Sequence, residues 1–275
     1  INRAIVSLEN FNVEDLQKLA IRIKPSNFKN YLLNNLNKGI IEKILIDVKL
    51  GENLSIDEYK ISGSIKQLNI KVLKNLSVEE ISFNFIADEN LTLINSLNAN
   101  YQSILISNGS LSLKRNKKIN IEGKFNSKFN LNERAIKKLF TKFNMDFLKE
   151  NKAKVKGSLL HNFSLKIDEN FKLIDYDYQS NGNILESQID LKKNFKNNLI
   201  NNPIKIISIS NANLKINLNK KNNNLLMIEG LYNLGKKEDK KFNISYNLNK
   251  KNPKYLIDFD LAENIFFELI NFKSN

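Results

Sequence analysis

Apolar and polar residues alternate with a period of two along most of this chain. The clearest runs are Ile44, Ile46, Val48 and Leu50; Ile61, Gly63 and Ile65; Ile81, Phe83 and Phe85; and Phe163, Leu165 and Ile167. Successive residues of a β-strand point to opposite faces, so this period gives each strand one apolar and one polar face. Such strands are typical of antiparallel sheets. The pattern predicts a mainly β protein with on the order of 14 strands.

Polar turn residues divide these runs. Asn108-Gly109 and Asn181-Gly182 fit two-residue hairpin turns, whose central residues need a positive φ. The Asn- and Lys-rich residues 191–202 are predicted to be a polar loop. Residues 203–275 are predicted to continue as an antiparallel meander with short connections.

Three segments break the alternation and are predicted to be short amphipathic helices, near residues 12–20, 26–38 and 132–143. In the third, Asn132 can accept the first backbone N–H groups as an N-cap. Its apolar residues follow at helical spacing: Ile136, Leu139, Phe140 and Phe143.

The composition leaves little material for catalysis. The 275 residues are 41% hydrophobic and include no Cys and one His, His161. A disulfide framework, a Cys metal site and Ser-His-Asp chemistry are therefore not expected. His161 has no acidic partner at motif spacing, and most of the acidic pairs lie at predicted turns. We predict a protein that is not an enzyme and has no catalytic residue, no cofactor and no metal site.

The net charge of +14 raises the possibility of a nucleic-acid partner, since basic surfaces release counterions from phosphate. The lysines, however, are scattered over turns and polar strand faces, and exposed aromatics do not lie between them as single-strand binding requires. Abundant Asn, Lys and Ile also point to an A/T-rich coding sequence. We expect no nucleic-acid partner, and a basic nucleic-acid-binding protein remains an alternative.

The order of elements resembles the AsmA-like superfamily, closest to its YhdP-type members and more distantly to TamB. The residues carrying the resemblance begin with Pro25, Phe28, Leu32, Leu33, Leu36, Gly39, Ile40 and Ile41, running into the strand at 44–50. The later segments are 61–63, 78–85, 103–113 and the step from helix 132–143 into 155–165. The similarity covers about residues 10–190. Such members place Trp near the start of the helix, where Phe28 stands in this chain.

The resemblance implies a bridge-like lipid-transfer protein, in which a long curved antiparallel sheet forms an open hydrophobic groove for phospholipid tails. It implies a periplasmic location, with anchoring to the bacterial inner membrane through a part outside this chain. The expected partners are phospholipid and outer-membrane or envelope proteins. We expect a monomeric segment, 1–190 being the groove-forming part, whose edge strands pair with further strands of the same polypeptide.

The residues expected to line the groove are Ile46, Ile65, Phe83, Phe85, Ile106, Leu113, Ile121, Phe125 and Leu165. Which alternating face points inward depends on the strand register, because a slip of one residue exchanges the two faces. A closed β-sandwich that serves as an interaction or adhesin-like module has the same alternation and is a second alternative.

Overall fold

The structure is a computed structural model. It describes residues 2–15, 35–52, 55–73, 76–116, 118–142, 151–169, 172–195, 203–221, 224–235, 238–247, 254–260, 266–267 and 272–273.

Thirteen strands form one antiparallel sheet in which the strand order equals the chain order. They are β1 (Asn2–Asn12), β2 (Leu36–Leu50), β3 (Ile56–Leu73), β4 (Leu76–Ala87), β5 (Leu91–Tyr101), β6 (Ile104–Arg115), β7 (Ile119–Leu131), β8 (Lys152–Ile167), β9 (Leu173–Phe195), β10 (Ile204–Asn219), β11 (Leu225–Asn233), β12 (Lys240–Asn247) and β13 (Lys254–Phe259). Strands β14 (Phe266–Phe267) and β15 (Phe272–Lys273) pair with each other. The large sheet is not closed, and its edges are β1 and β13. The predicted mainly β fold, one long antiparallel sheet with few helices, is confirmed.

Bulges interrupt the regular pairing in neighbouring strands. Gln67 in β3, Glu80 in β4, Ser96 in β5 and Asn108 in β6 all have positive φ and are exposed. The pairing register shifts at these places, for example between Ile65 and Leu68. A bulge adds one residue to one strand, which reverses the parity of the alternation beyond it. The apolar side chains therefore stay on one face although their sequence spacing changes from even to odd.

The two predicted hairpin turns are wrong. Asn108-Gly109 lies inside β6, where Asn108 supplies the positive φ of a bulge rather than of a turn. Asn181-Gly182 lies inside β9, a strand of 23 residues. The predicted loop at 191–202 also begins too early, since 191–195 belong to β9 and 196–202 lie outside the described residues.

Helix α1 covers Glu133–Lys142. The side-chain oxygen of Asn132 accepts the N–H of Ala135 at 3.0 Å, and the Asn132 carbonyl accepts the N–H of Ile136 at 2.9 Å. Ala135 and Ile136 are buried. Lys137 forms an ion pair with Glu133, one helical turn before it. The Asn132 cap and the burial of Ile136 agree with the pattern read from the sequence, and Phe143 lies outside the described residues.

The other two predicted helices fall mostly outside the described residues. Residues 13–15 are helical, and 16–34 are not described. Residues 36–38, expected at the end of the second helix, form the start of β2 instead. Gly39 is thus a strand residue, packed where an added Cβ would lie 2.9 Å from Val13 and 3.0 Å from Leu68. Among the described residues, no helix is long and apolar enough to cross a membrane.

The chain divides into two compact units. Unit 1 comprises Ile1–Ser127 and His161–Tyr178. Unit 2 comprises Lys128–Leu160 and Gln179–Asn275. Strands β7, β8 and β9 contribute residues to both.

Each unit has its own buried residues. The core cluster of unit 1 consists of Val13, Ile41, Ile44, Leu68, Ile81 and Ala99. In unit 2 the buried apolar residues are Leu131, Ala135, Ile136, Ile204, Ala212 and Phe242.

Candidate functional site

One face of the unit 1 sheet carries mostly apolar side chains, and we name it the apolar face. Residues paired across neighbouring strands project to the same face. One such row crosses β2 to β6 through Ile46, Ile61, Ala87, Thr92 and Leu113. All five residues except Thr92 are apolar, and the row is continuous in register.

A second row runs beside the first. It contains Ile44, Gly63, Phe85, Ile94 and Leu111, again in direct register from β2 to β6. The series continues into β7 and β8. A Cβ built on Gly123 would touch the side chains of Leu111 and Phe163, which places these residues on the same face.

The structure brings together all nine residues predicted to line the groove. They lie in unit 1, on the apolar face, and each is half-buried. Ile46, Ile65, Phe83, Phe85 and Ile106 pack against the core cluster. Leu113, Ile121, Phe125 and Leu165 extend the face along β6, β7 and β8. The nine residues thus share one face of the sheet; that this face lines a groove or contacts lipid stays a prediction.

A polar cluster interrupts the apolar face on β7, β8 and β9. His161 is 8% exposed and forms two side-chain hydrogen bonds. Its Nε2 lies 2.7 Å from Ser127 Oγ, and its Nδ1 lies 2.8 Å from the Tyr178 hydroxyl. The Phe125 ring stacks on the imidazole with centroids 4.4 Å apart. We call these residues, Ser127, His161 and Tyr178, the histidine cluster.

The surroundings of the histidine cluster favour the neutral form of the imidazole. Burial lowers the pKa of His161 below its ordinary value, because the charged form loses its hydration there. A neutral imidazole donates through one nitrogen and accepts through the other, so the cluster forms a directed chain of hydrogen bonds. Its third member is a tyrosine hydroxyl rather than a carboxylate. The cluster therefore lacks the anionic group that stabilises an imidazolium in a hydrolytic triad.

Sequence reasoning found no acidic partner for His161 at motif spacing and missed Ser127 and Tyr178. Ser127 and Tyr178 lie 34 and 17 residues away, so no motif spacing joins them. A signal was nevertheless present. Ser127 and His161 occupy apolar positions in the alternation of their strands, next to Phe125 and Phe163 respectively. A polar residue at such a position is buried and needs a partner.

The opposite face of unit 1 carries charged side chains, several of which are paired across strands. Lys43 contacts Glu9 at 3.4 Å, and Lys49 contacts Glu58 at 3.1 Å. The Asp88 carboxylate accepts the N–H groups of Asn90 and Leu91 in the β4–β5 turn, and these bonds lower its pKa. Asp88 thus stabilises the β4–β5 turn.

Among the described residues, no three His, Cys, Asp or Glu side chains lie close enough together to hold a metal ion. Asp175 and Asp177 are exposed on the polar side of β9. No family model, curated protein or solved structure matches the chain.

Proposed function

We propose that this chain is a segment of a cell-envelope lipid-transfer protein whose apolar face shields phospholipid acyl chains. The observation that carries the proposal is the half-exposed apolar face that extends from β2 to β8 in unit 1. Its residues are covered on one side by their neighbours and retain apolar area on the other. Apolar area gains about 25 cal/mol per Å2 when it leaves water, whether protein or lipid covers it.

The dimensions of the face suit an acyl chain. The row from Ile46 to Leu113 crosses four inter-strand spacings, about 19 Å at roughly 4.8 Å each. The tails of one leaflet occupy about 15 Å, half of a hydrocarbon core of about 30 Å. Each methylene covered by the face would contribute about 0.8 kcal/mol.

The polar side of the same strands would keep such a carrier in an aqueous compartment. The resemblance to AsmA-like proteins supports the periplasm as this compartment and the inner membrane as the anchoring site, through a segment outside this chain. Outer-membrane or envelope proteins would then be its partners at the receiving end.

Co-purification tests the proposal directly. The chain, expressed in a bacterial envelope and purified without detergent, is extracted with organic solvent and analysed by mass spectrometry. We expect phospholipid in stoichiometric amounts. A lipid-free protein that also fails to bind added phospholipid would contradict the proposal. A DNA affinity that falls steeply with salt would favour the nucleic-acid alternative instead.

Site-specific cross-linking then locates the lipid. A photoreactive phenylalanine analogue replaces Phe85 on the apolar face or, as the matched control, its neighbour Ile86. Ile86 is 42% exposed and points to the opposite face. We expect lipid adducts at position 85 and none above background at position 86. Equal labelling at both positions would show that lipid adheres without using the apolar face.

A further inference from the structure

The positive charge of the chain is divided unequally between its two units. Unit 1 contains 19 Lys and Arg residues against 17 Asp and Glu, a net charge of +2. Unit 2 contains 24 against 12, a net charge of +12. Lysine is abundant in both units, but unit 2 has fewer of the acidic residues that balance it in unit 1. Unit 2 is therefore the part of the chain that attracts polyanions.

Strand β8 presents a row of lysines on one face. Exposed and covered residues alternate strictly along its first half, so Lys152, Lys154 and Lys156 point to the same side. Lys154 pairs with Glu186 at 2.8 Å, whereas the other two lysines form no ion pair with a described residue. Leu160 lies on the same face and is 45% exposed. This face thus combines uncompensated positive charge with an exposed aliphatic side chain.

Helix α1 and the end of β9 bring further basic residues to the start of β8. The pKa of Glu133, in the first turn of α1, is lowered by its bond to Lys137 and also by the charge of Lys152, so the helix lies near β8. The side chain of Asn151 accepts the backbone N–H of Lys192 at 3.0 Å, which places the end of β9 there as well. These elements add the exposed residues Arg134, Lys138, Lys192 and Lys193.

The seven exposed basic residues form one patch, which we name the basic surface: Arg134, Lys138, Lys152, Lys154, Lys156, Lys192 and Lys193. Within the described part of the chain, Lys154 is the only one of them in an ion pair. The described acidic side chains nearby are Glu133, Glu186 and Asp190, and the first two are already paired with lysines. Positive charge is in excess here, and most of it is left for a partner outside the chain.

The chemistry of the basic surface fits an anionic lipid bilayer better than a nucleic acid. Six of its seven residues are lysines, whereas base readout and single-strand binding use arginine and exposed aromatic rings. No aromatic side chain described in α1, β8 or β9 is exposed. Leu160 supplies an aliphatic side chain instead, and aliphatic groups beside lysines favour the boundary between head groups and acyl chains.

We propose that the basic surface docks this chain on a membrane that contains anionic phospholipid, with Leu160 entering between the head groups. The proposal goes beyond acyl-chain binding by unit 1 and does not depend on it. Docking by a protein that binds no phospholipid in its apolar face would overturn the lipid-transfer proposal alone. A lipid-loaded protein that does not dock would overturn the docking proposal alone.

Vesicle flotation tests the attraction. The chain is mixed with vesicles of phosphatidylcholine, either alone or with phosphatidylglycerol, at low and at physiological salt. We expect the protein to float with the anionic vesicles only. The floated fraction should fall as salt rises, because salt screens exposed charges. Equal flotation with both kinds of vesicle, or none with either, would overturn the proposal.

Removing unpaired lysines from the basic surface should weaken the docking. The triple variant K152Q/K156Q/K192Q leaves the ion pair of Lys154 in place. Each lysine beside an anionic bilayer contributes about fivefold to the partition coefficient, so the variant should bind on the order of a hundredfold more weakly. A change of less than about fivefold would contradict the assigned surface.

The matched control removes the same charge from unit 1. It is K71Q/K114Q/K118Q, which replaces three exposed lysines that form no ion pair with a described residue. We expect it to bind anionic vesicles nearly as well as the unchanged chain. A loss as large as that of the unit 2 variant would show that net charge alone is responsible, and the proposal would be wrong.

Tryptophan fluorescence locates the contact, because the chain has no Trp of its own. In Leu160→Trp the indole should shift its emission to shorter wavelength when anionic vesicles are added. The control is Leu105→Trp in unit 1, where Leu105 is 54% exposed, and its emission should stay unchanged. A shift at position 105 without one at position 160 would place the membrane contact elsewhere.

Competition with DNA separates the two polyanions. Duplex or single-stranded DNA is added to the docked protein at a phosphate concentration equal to that of the vesicles. We expect most of the protein to stay on the vesicles. Transfer of the protein to DNA would show that the basic surface prefers a nucleic acid, and the docking proposal would be overturned.

Discussion

Gly63 lies against the backbone of Lys43: a Cβ built on Gly63 would overlap the carbonyl oxygen of Lys43 and come within 3.0 Å of the Phe85 ring. The two residues belong to adjacent strands, β3 and β2, beneath the apolar face. A carbonyl oxygen in a hydrogen-bonded sheet cannot rotate away as the end of a side chain can. Glycine at position 63 therefore allows β2 and β3 to approach closely at this point of the face.

Gly63→Ala should destabilise the protein by about 1–3 kcal/mol, the usual cost of overpacking. The control is Gly123→Ala, whose added methyl would meet the side-chain ends of Leu111 and Phe163 rather than backbone. These side chains can shift, so its cost should be smaller. Urea unfolding monitored by circular dichroism measures both; equal losses would contradict the assigned contact.

Asn108→Val should destabilise β6. Asn108 has a φ of 53°, which asparagine tolerates and a β-branched residue does not. The expected cost is about 1–2 kcal/mol. Ser107→Val, one residue earlier, should change stability by less than about 0.5 kcal/mol, since it is a half-buried strand position without positive φ. Unfolding curves in urea compare the two variants. If position 108 is a turn rather than a bulge, the N108V variant should also lose the β5–β6 pairing seen by hydrogen exchange.

The stability of the protein should fall as the pH drops below about 6.5. The pKa of folded His161 is lowered by burial, whereas in the unfolded chain it returns to its ordinary value of 6.5. The unfolded state then binds the proton first, so the loss begins near pH 6.5 and levels off below the folded pKa. The carboxylates with lowered pKa values, such as Asp47 and Glu186, titrate below this window.

Urea titrations between pH 8 and pH 5 test this dependence. His161→Phe removes the titrating group and retains an aromatic ring against Phe125, so its stability should stay constant from pH 7.5 to pH 5. Since His161 is the single histidine of the chain, its ring proton resonance gives the folded pKa by NMR. A measured pKa at or above 6.5 would contradict the burial of the neutral ring.

Ile121→Lys should reduce bound phospholipid. Ile121 is half-buried on the apolar face and is not part of the core cluster, so a charge there affects the exposed part of the face more than the core. Asn120→Lys adds the same charge on the opposite face and should leave lipid content unchanged. Phosphorus analysis of the two purified proteins measures the difference, provided that both give the same circular dichroism spectrum. Equal lipid content would place the binding site elsewhere.

The local sequence pattern was sufficient to predict part of the fold. The alternation at Ile44 and Ile46, or at Phe163 and Leu165, determines a strand with one apolar face, because side-chain direction in a strand depends on parity alone. Asn132 and the residues after it specify α1 in the same way, since an N-cap and an i, i+3, i+4 spacing act within one helix. The nine residues predicted to line a groove were chosen by the same rule, and that they line one stays a prediction.

Only the tertiary structure decided which conformation the polar residues within the alternating runs adopt. Asn108-Gly109 has the composition of a hairpin turn, and a positive φ is what both a turn and a bulge require. The outcome depends on whether the partner strand β5 continues beyond this point, as it does from Leu97 to Ala99. The hydrogen-bond partners of His161 were likewise decided by the tertiary structure. Ser127 and Tyr178 reach it because β7, β8 and β9 are adjacent in the sheet, and strand adjacency is a property of the whole chain rather than of any local sequence.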